Sequence, residues 1–239
     1  MIILVLSTPR SGSHYYSEYI QSQYPNSIIM HEILSRAYKD LYLEQIGIIE
    51  HSSTEYDANS YYEDLSEGVV RVYNKRPDKE QFFESILNRM VNSSNTFIVH
   101  EHVSLIPKHW IEKLIEHSDS VSYLHRDRKE QIASRMIAGY TGVFIIRDNY
   151  MLCHGDIRNK SMYNFEKFDQ SLMSPELIKR HIMIYEDADR LMSELNVNFV
   201  SYDSLIKNNN SSTKKLHKSS FDRLCLEDQM AINNVLGCD

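Results

Sequence analysis

The run Ile2-Ile3-Leu4-Val5-Leu6 constrains the fold more than any other feature of the chain. Five branched apolar residues with no polar one between them do not suit a strand with one wet face. They suit a strand covered on both faces, as the strands of parallel sheets are. The run ends at Ser7-Thr8-Pro9. From Ser13 to about Gln23, Tyr15, Tyr16, Tyr19 and Ile20 then recur near one side at helical spacing, until Tyr24-Pro25-Asn26 stops the pattern. The opening unit is therefore strand, loop, helix.

That unit recurs. A second apolar burst, Ser27 to Met30, leads into His31-Glu32, and helical period resumes from Ile33 through Leu43. Lys79–Met90 is helical, Thr96–Val99 is a short strand running into His100-Glu101-His102, Lys108–His117 is a helix and Ser120–Leu124 a strand. Asp127 stands at the cap of a helix over Arg128–Ile137, with Glu130 at capping-box spacing. Pro175–Asn196 reads as a long amphipathic helix, Val197–Tyr202 as a strand and Leu226–Leu236 as a last helix. Strands alternating with helices predict an α/β fold: a mostly parallel central sheet flanked by helices. Residues 1–239 read as one domain, interrupted by irregular insertions near 44–80, rich in acids and tyrosines, and 140–174.

Composition narrows the function classes. At 239 residues, 42% hydrophobic, the chain is long enough to bury a sizeable core. Lys and Arg number 26 against 33 Asp and Glu, and the net charge of −7 argues against general attraction to nucleic acid or anionic membrane. Any anion must be met locally. Cys153, Cys225 and Cys238 are odd in number and widely spaced, which fits a reducing compartment and neither a disulfide framework nor a zinc knuckle. The apolar start has no basic segment before it and no small-residue cleavage site after it, so no signal peptide is expected. No apolar run approaches the ~18 residues of a membrane span. The expected location is cytoplasmic.

The segment Ser7-Thr8-Pro9-Arg10-Ser11-Gly12-Ser13-His14 lies beyond the carboxyl end of a strand and at a helix start, where open α/β sheets hold ligands. Unpaired backbone N–H groups and the positive end of the helix dipole favour an anion there. Gly12 permits close backbone approach, Ser11 and Ser13 add hydroxyl donors, and Arg10 adds a forked cation. The early Gly and the Lys of GxxxxGK[ST] are missing, which disfavours ATP with magnesium. The bland alternative is that Ser11 or Ser13 caps the helix and Arg10 is a surface residue. A second cation and hydroxyl pair follows the strand at 120–124: Arg126 at its end, and Ser134 eight residues on. If the helix folds back, both converge on one phosphate; otherwise Arg126 pairs with Asp127 or Glu130 and Ser134 is an ordinary helical residue.

Together these two segments resemble the sulfotransferase family that uses 3′-phosphoadenosine-5′-phosphosulfate (PAPS). In that family a strand leads into an (R/K)SG(T/S) loop, matched by Thr8 to His14, and a later strand leads into an Arg followed eight residues on by a Ser, matched by Tyr123-Leu124-His125-Arg126-Asp127 through Ser134. Val200-Ser201-Tyr202-Asp203-Ser204-Leu205 resembles a Tyr-Glu-Asp-Leu-like stretch the family carries on a late strand. The resemblance covers residues 2–138 and 197–206. It implies a P-loop-like sulfotransferase architecture with PAPS as cosubstrate and no metal. Arg10, Ser11, Gly12, Ser13 and His14 would hold the 5′-phosphosulfate, with Arg10 also stabilising the leaving phosphate, and Arg126 and Ser134 would hold the 3′-phosphate. The chain departs from the family at Arg128, where Pro or Gly is frequent, and in lacking a clear Gly-rich segment near its end; Lys214, Lys215 and Lys218 are the basic residues available in its place.

Two residues compete for the general base. The resemblance puts Glu32 where the tyrosine-protein and bacterial glycolipid branches carry a catalytic Glu, and His102 where the cytosolic small-molecule branch carries a catalytic His. The Arg-Ser-Gly loop and Tyr24-Pro25 favour Glu32. On structural readings Glu32 caps a helix from Ile33, and His100 and His102 are polar residues on one face of a strand end. An HxH pair also suits zinc, but no third ligand is apparent. Glu101 points the other way. The acceptor is expected to be a small molecule, carbohydrate or glycolipid carrying a hydroxyl or amine, walled by the 44–80 and 140–174 segments. Two other classes stay open: a magnesium-requiring kinase with a degenerate phosphate loop, and a non-catalytic nucleotide-binding module that docks a partner through its acidic, Tyr-rich insertion.

Overall fold

A computed structural model of the chain describes residues 1–32, 34, 61–63, 71–73, 79–147, 150–153, 159–208 and 219–237. All of the expected helix at 33–43 except Leu34, most of the 44–80 insertion and Lys214, Lys215, Lys218 and Cys238 lie outside the described residues. In chain order the elements are β1 (Ile2–Ser7), α1 (Ser13–Gln23), β2 (Ile28–His31), β3 (Tyr61–Glu63), β4 (Arg71–Tyr73), α2 (Lys79–Val91), β5 (Phe97–His102), α3 (Lys108–Glu116) and β6 (Ser120–His125). There follow α4 (Arg128–Thr141), β7 (Val143–Arg147), β8 (Tyr150–Cys153), a 3-10 turn (Lys160–Asn164), α5 (Pro175–Glu194), β9 (Asn198–Ser201), α6 (Tyr202–Asn208), a second 3-10 turn (Phe221–Arg223) and α7 (Leu226–Leu236).

The expected α/β fold is present. Five strands make an all-parallel sheet in the order β2-β5-β1-β6-β9. Strand β1 is central, and all six of its residues are buried, as an unbroken apolar run requires. Its register runs from Ile2 opposite Phe97 to Ser7 opposite His102 on one side, and sets Ser7 opposite Leu124 on the other. Asp119 fixes the start of the strand: its carboxylate accepts from Ile2 N at 2.7 Å, and its own N–H donates to Ile2 O at 2.9 Å.

The described residues of Met1–Thr8, Gly12–His125 and Leu191–Val200 form one compact unit; those of Pro9–Ser11, Arg126–Arg190 and Ser201–Asp239 form a second. The first holds the sheet. Helix α1 buries Tyr16, Ser17 and Ile20, α3 buries Trp110, Ile111 and Leu114, and Trp110 stacks on Phe83 of α2 at 4.9 Å. After β1 the chain crosses to β2 at one edge, and after β6 it goes on to β9 at the other. The neighbouring carboxyl ends of β1 and β6 are therefore where the topology switches direction, the position at which open α/β sheets bind ligands. The second unit has its own core, in which Ile132, Met136, Phe168, Ile178, Ile182 and Ile232 are all buried.

Three local expectations are corrected. Within 140–174 the chain is not simply irregular: β7 and β8 pair as an antiparallel hairpin with a register shift between Val143 and Ile145, and a 3-10 turn follows. The late strand stops at Ser201 and Tyr202 begins a helix, so the Tyr202-Asp203-Ser204-Leu205 stretch is helical and not extended. The capping box at Asp127 is half formed. Asp127 accepts from Glu130 N at 3.0 Å, but the Glu130 carboxylate takes Ser219 Oγ and the Ser220 and Phe221 N–H groups instead of returning to its cap. Among the described residues no helix is long and apolar enough to cross a membrane.

Candidate functional site

The loop after β1 is not an ordinary helix cap. Helix α1 has Gly12 at its N-cap, in the left-handed region at φ 91°, with no side-chain cap bond, so neither Ser11 nor Ser13 caps it. A Cβ disfavours that conformation, which accounts for the glycine. Ser11 is 1% exposed, and its Oγ has no hydrogen-bond partner among the described residues. Arg10 sits at φ 70°, a left-handed conformation costing about 1–3 kcal/mol for a residue with a Cβ. Strain of this size persists only where neighbours impose it.

Those neighbours lie in the second compact unit. The Arg10 guanidinium donates to Ser134 Oγ from Nε at 3.0 Å and from Nη2 at 2.9 Å. Arg126 Nη1 donates to the Arg10 carbonyl at 3.2 Å, and Gln131 Nε2 to the Pro9 carbonyl at 2.8 Å. Arg126 also pairs with Glu130 at 3.5 Å and lies 5.3 Å over the Tyr202 ring, while its Nε is buried with no partner among the described residues. Burial is the main cause lowering the Arg10 pKa; the Arg126 and Arg135 charges also lower it, and Tyr163 and Tyr185 oppose them. Two partly buried cations and a serine hydroxyl thus meet, and Ser11, next to Arg10 in sequence, adds a second buried polar atom without a partner among the described residues. Arg128, the departure from the family pattern, bonds Gln131 and Asp189 and covers the Tyr185 ring. Nothing in the sequence marked Gln131, since a glutamine inside a helix carries no distinguishing signal, and Tyr202 stood out only as part of a likeness to a family motif and not as a partner of Arg126.

The remaining candidates gather in the first unit, at the carboxyl ends of β2 and β5. His102 Nε2 is 3.0 Å from Glu32 Oε1, so the two competing bases are partners. His102 Nδ1 is 3.0 Å from Ser7 Oγ, which is 2.7 Å from His100 Nε2; His100 Nδ1 is 3.2 Å from His31 Nδ1. His14, from α1, lays its ring 4.2 Å from that of His31. Alternation along β5 turns Glu101 away from both histidines, and its carboxylate accepts from Leu34 N at 2.9 Å. Glu32 has a left-handed φ of 53°, and its N–H donates to His100 O at 2.6 Å. Burial first, then the neighbouring His102 and His31, holds the His100 pKa well below its ordinary value, so this ring is neutral. All of the helix expected from Ile33 except Leu34 lies outside the described residues, so a capping role for Glu32 has no described helix to act on.

Chemically, the first unit offers a carboxylate held by an imidazole, able to take a proton. The second offers cations and hydroxyls suited to an anion. Ser7 and His31 join the candidates, beside the His100 already weighed with His102, because parallel pairing sets Ser7 opposite His102 and His31 opposite His100. Only the register reveals that. Among the described residues no three His, Cys, Asp or Glu side chains are arranged to hold a metal ion. No protein-family model matches the chain, and no curated protein matches it either.

Proposed function

We propose that the chain is a PAPS-dependent sulfotransferase that moves a sulfuryl group to the hydroxyl or amine of a small molecule, carbohydrate or glycolipid. One observation carries the reading: two motifs more than a hundred residues apart in sequence meet, Arg126 on the carbonyl of Arg10 and Ser134 on its guanidinium. The fit to a doubly phosphorylated nucleotide rests on the donors present. Arg10, Arg126 and Ser134 supply charge and hydroxyl, and Ser11 Oγ and Arg126 Nε are buried polar atoms that a phosphate oxygen would satisfy. Gly12, Ser13 and His14 open α1 and contribute the N–H groups of its first turn.

The donor supplies an activated sulfuryl group. Glu32 takes the proton of the acceptor as its oxygen or nitrogen bonds to sulfur, and the bond from sulfur to the phosphate oxygen breaks. Arg10 neutralises the charge gathering on that phosphate. His102 holds Glu32 through Nε2 and is engaged at Nδ1 by Ser7, which favours the carboxylate as the base and the imidazole as its support. Calorimetry with adenosine 3′,5′-bisphosphate tests the reading: binding is expected, and its absence in folded protein overturns the proposal. Turnover that requires magnesium would turn the reading toward a kinase.

A further inference from the structure

Glu32 is one end of a buried chain of polar groups, and the reaction above uses only that end. The contacts run from Glu32 to His102, Ser7, His100 and His31, each link between 2.7 and 3.2 Å. Ser7 and His100 are 0% exposed, and His31, Glu32 and His102 are all buried. Water is kept from replacing a link.

With Glu32 ionised and His102 neutral, the chemistry of the groups gives the chain one direction. An ionised carboxylate only accepts, so His102 carries a proton on Nε2. A neutral imidazole protonated there has a bare Nδ1, and Ser7 O–H donates to it. The Ser7 oxygen then accepts from His100 Nε2–H. His100 Nδ1 is left bare and accepts from His31 Nδ1–H. The opposite tautomer of His102 would set a nitrogen lone pair against the Glu32 carboxylate at 3.0 Å.

We propose that Ser7, His100 and His31 are positioning residues that support, from its Nδ1 side, the Nε2–H tautomer that the Glu32 carboxylate selects on His102, and through that ring aim Glu32. The inference rests on the reading of Glu32 as the base. Burial reinforces the assignment: His100 is held neutral, so it must donate from one nitrogen and accept at the other. The backbone adds a second tether, since the His100 carbonyl holds the Glu32 N–H at 2.6 Å.

Long-range ¹H–¹⁵N correlation spectra of the whole chain, labelled at histidine and recorded near neutral pH, read each tautomer without turnover. The expected result is a proton on Nε2 of His102 and His100 and on Nδ1 of His31. A His102 protonated on Nδ1, or on both nitrogens, overturns the proposal. In Ser7→Ala the His102 Nδ1 resonance is expected to move as its hydroxyl partner is lost and kcat to fall about tenfold with KM and bisphosphate affinity kept, and Ser7→Thr to restore both. An unchanged His102 signal in Ser7→Ala overturns it as well. The two readings fail separately: loss of bisphosphate binding removes the sulfotransferase, and a wrong tautomer removes the chain of positioning residues.

Discussion

The histidine cluster at the ends of β2 and β5 and the arginine cluster around Ser134 solve opposite problems. In the first, the linked side chains satisfy one another: Ser7 serves two imidazoles, and His102 serves Ser7 and Glu32. In the second, Arg10 and Arg126 are brought together although like charges repel, while Ser11 Oγ, Arg126 Nε and the Tyr185 hydroxyl are buried with no partner among the described residues. A polar cluster that closes on itself holds a proton acceptor in one orientation. A cluster that holds two cations beside buried, unmatched polar atoms offers an anion donors to meet. On the proposed function, the contrast gives proton handling to one region and anion binding to the other.

The two tasks should separate under mutation. The largest effect is expected from Glu32→Gln, which keeps the shape and removes the base: kcat falls by about 10²–10⁴-fold while calorimetric affinity for adenosine 3′,5′-bisphosphate is retained. Equal loss of both would merge the two regions into one role. Arg126→Ala should do the reverse and weaken the bisphosphate by roughly ten- to a hundredfold, the worth of a charge-assisted bond. Adenosine 5′-phosphosulfate, which lacks the 3′-phosphate, should suffer less; equal losses would reject the assigned contact.

A third test uses pH. His100 is neutral in the folded chain, with its pKa depressed from the ordinary 6.5. Below that value the unfolded chain takes up a proton that folded His100 refuses, so stability is full above it and declines as pH falls. Denaturant titrations across this range should show the decline, and His100→Gln should flatten it; an unchanged slope would mean that the ring is protonated in the fold. The smallest effect is expected from Asp127→Ala, which removes the Glu130 N–H cap of α4. It should cost about 1 kcal/mol of stability, read as a lower Tm, and leave bisphosphate affinity unchanged.

Much of the architecture was legible because it rests on local pattern. An unbroken apolar run demands cover on both faces, and Ile2 to Leu6 form the central strand. The loop and helix after it were legible for the same reason, as was the cap at Asp127. The hairpin at β7 and β8 was not, because its alternation is short and broken by a register shift. The helix from Tyr202 was missed where a likeness to an extended motif outweighed the local signal. At the candidate site, Arg10 and Arg126 were picked out by residue type and place after a strand, Ser134 by its spacing from Arg126, and Glu32 and His102 by the family resemblance.

By itself the sequence determined which residues carry charge, hydroxyl or imidazole at strand ends, since apolar period and chain order place those ends. Only the tertiary structure decided who meets whom. It made Glu32 and His102 partners where they had read as rivals, set Ser134 on Arg10, and drew in Ser7, His31 and His100. The reason is physical: such contacts depend on strand order and register, which bring residues 7, 32 and 102 together through pairing with a shared neighbour. Nothing in the residues' own local sequence records that pairing.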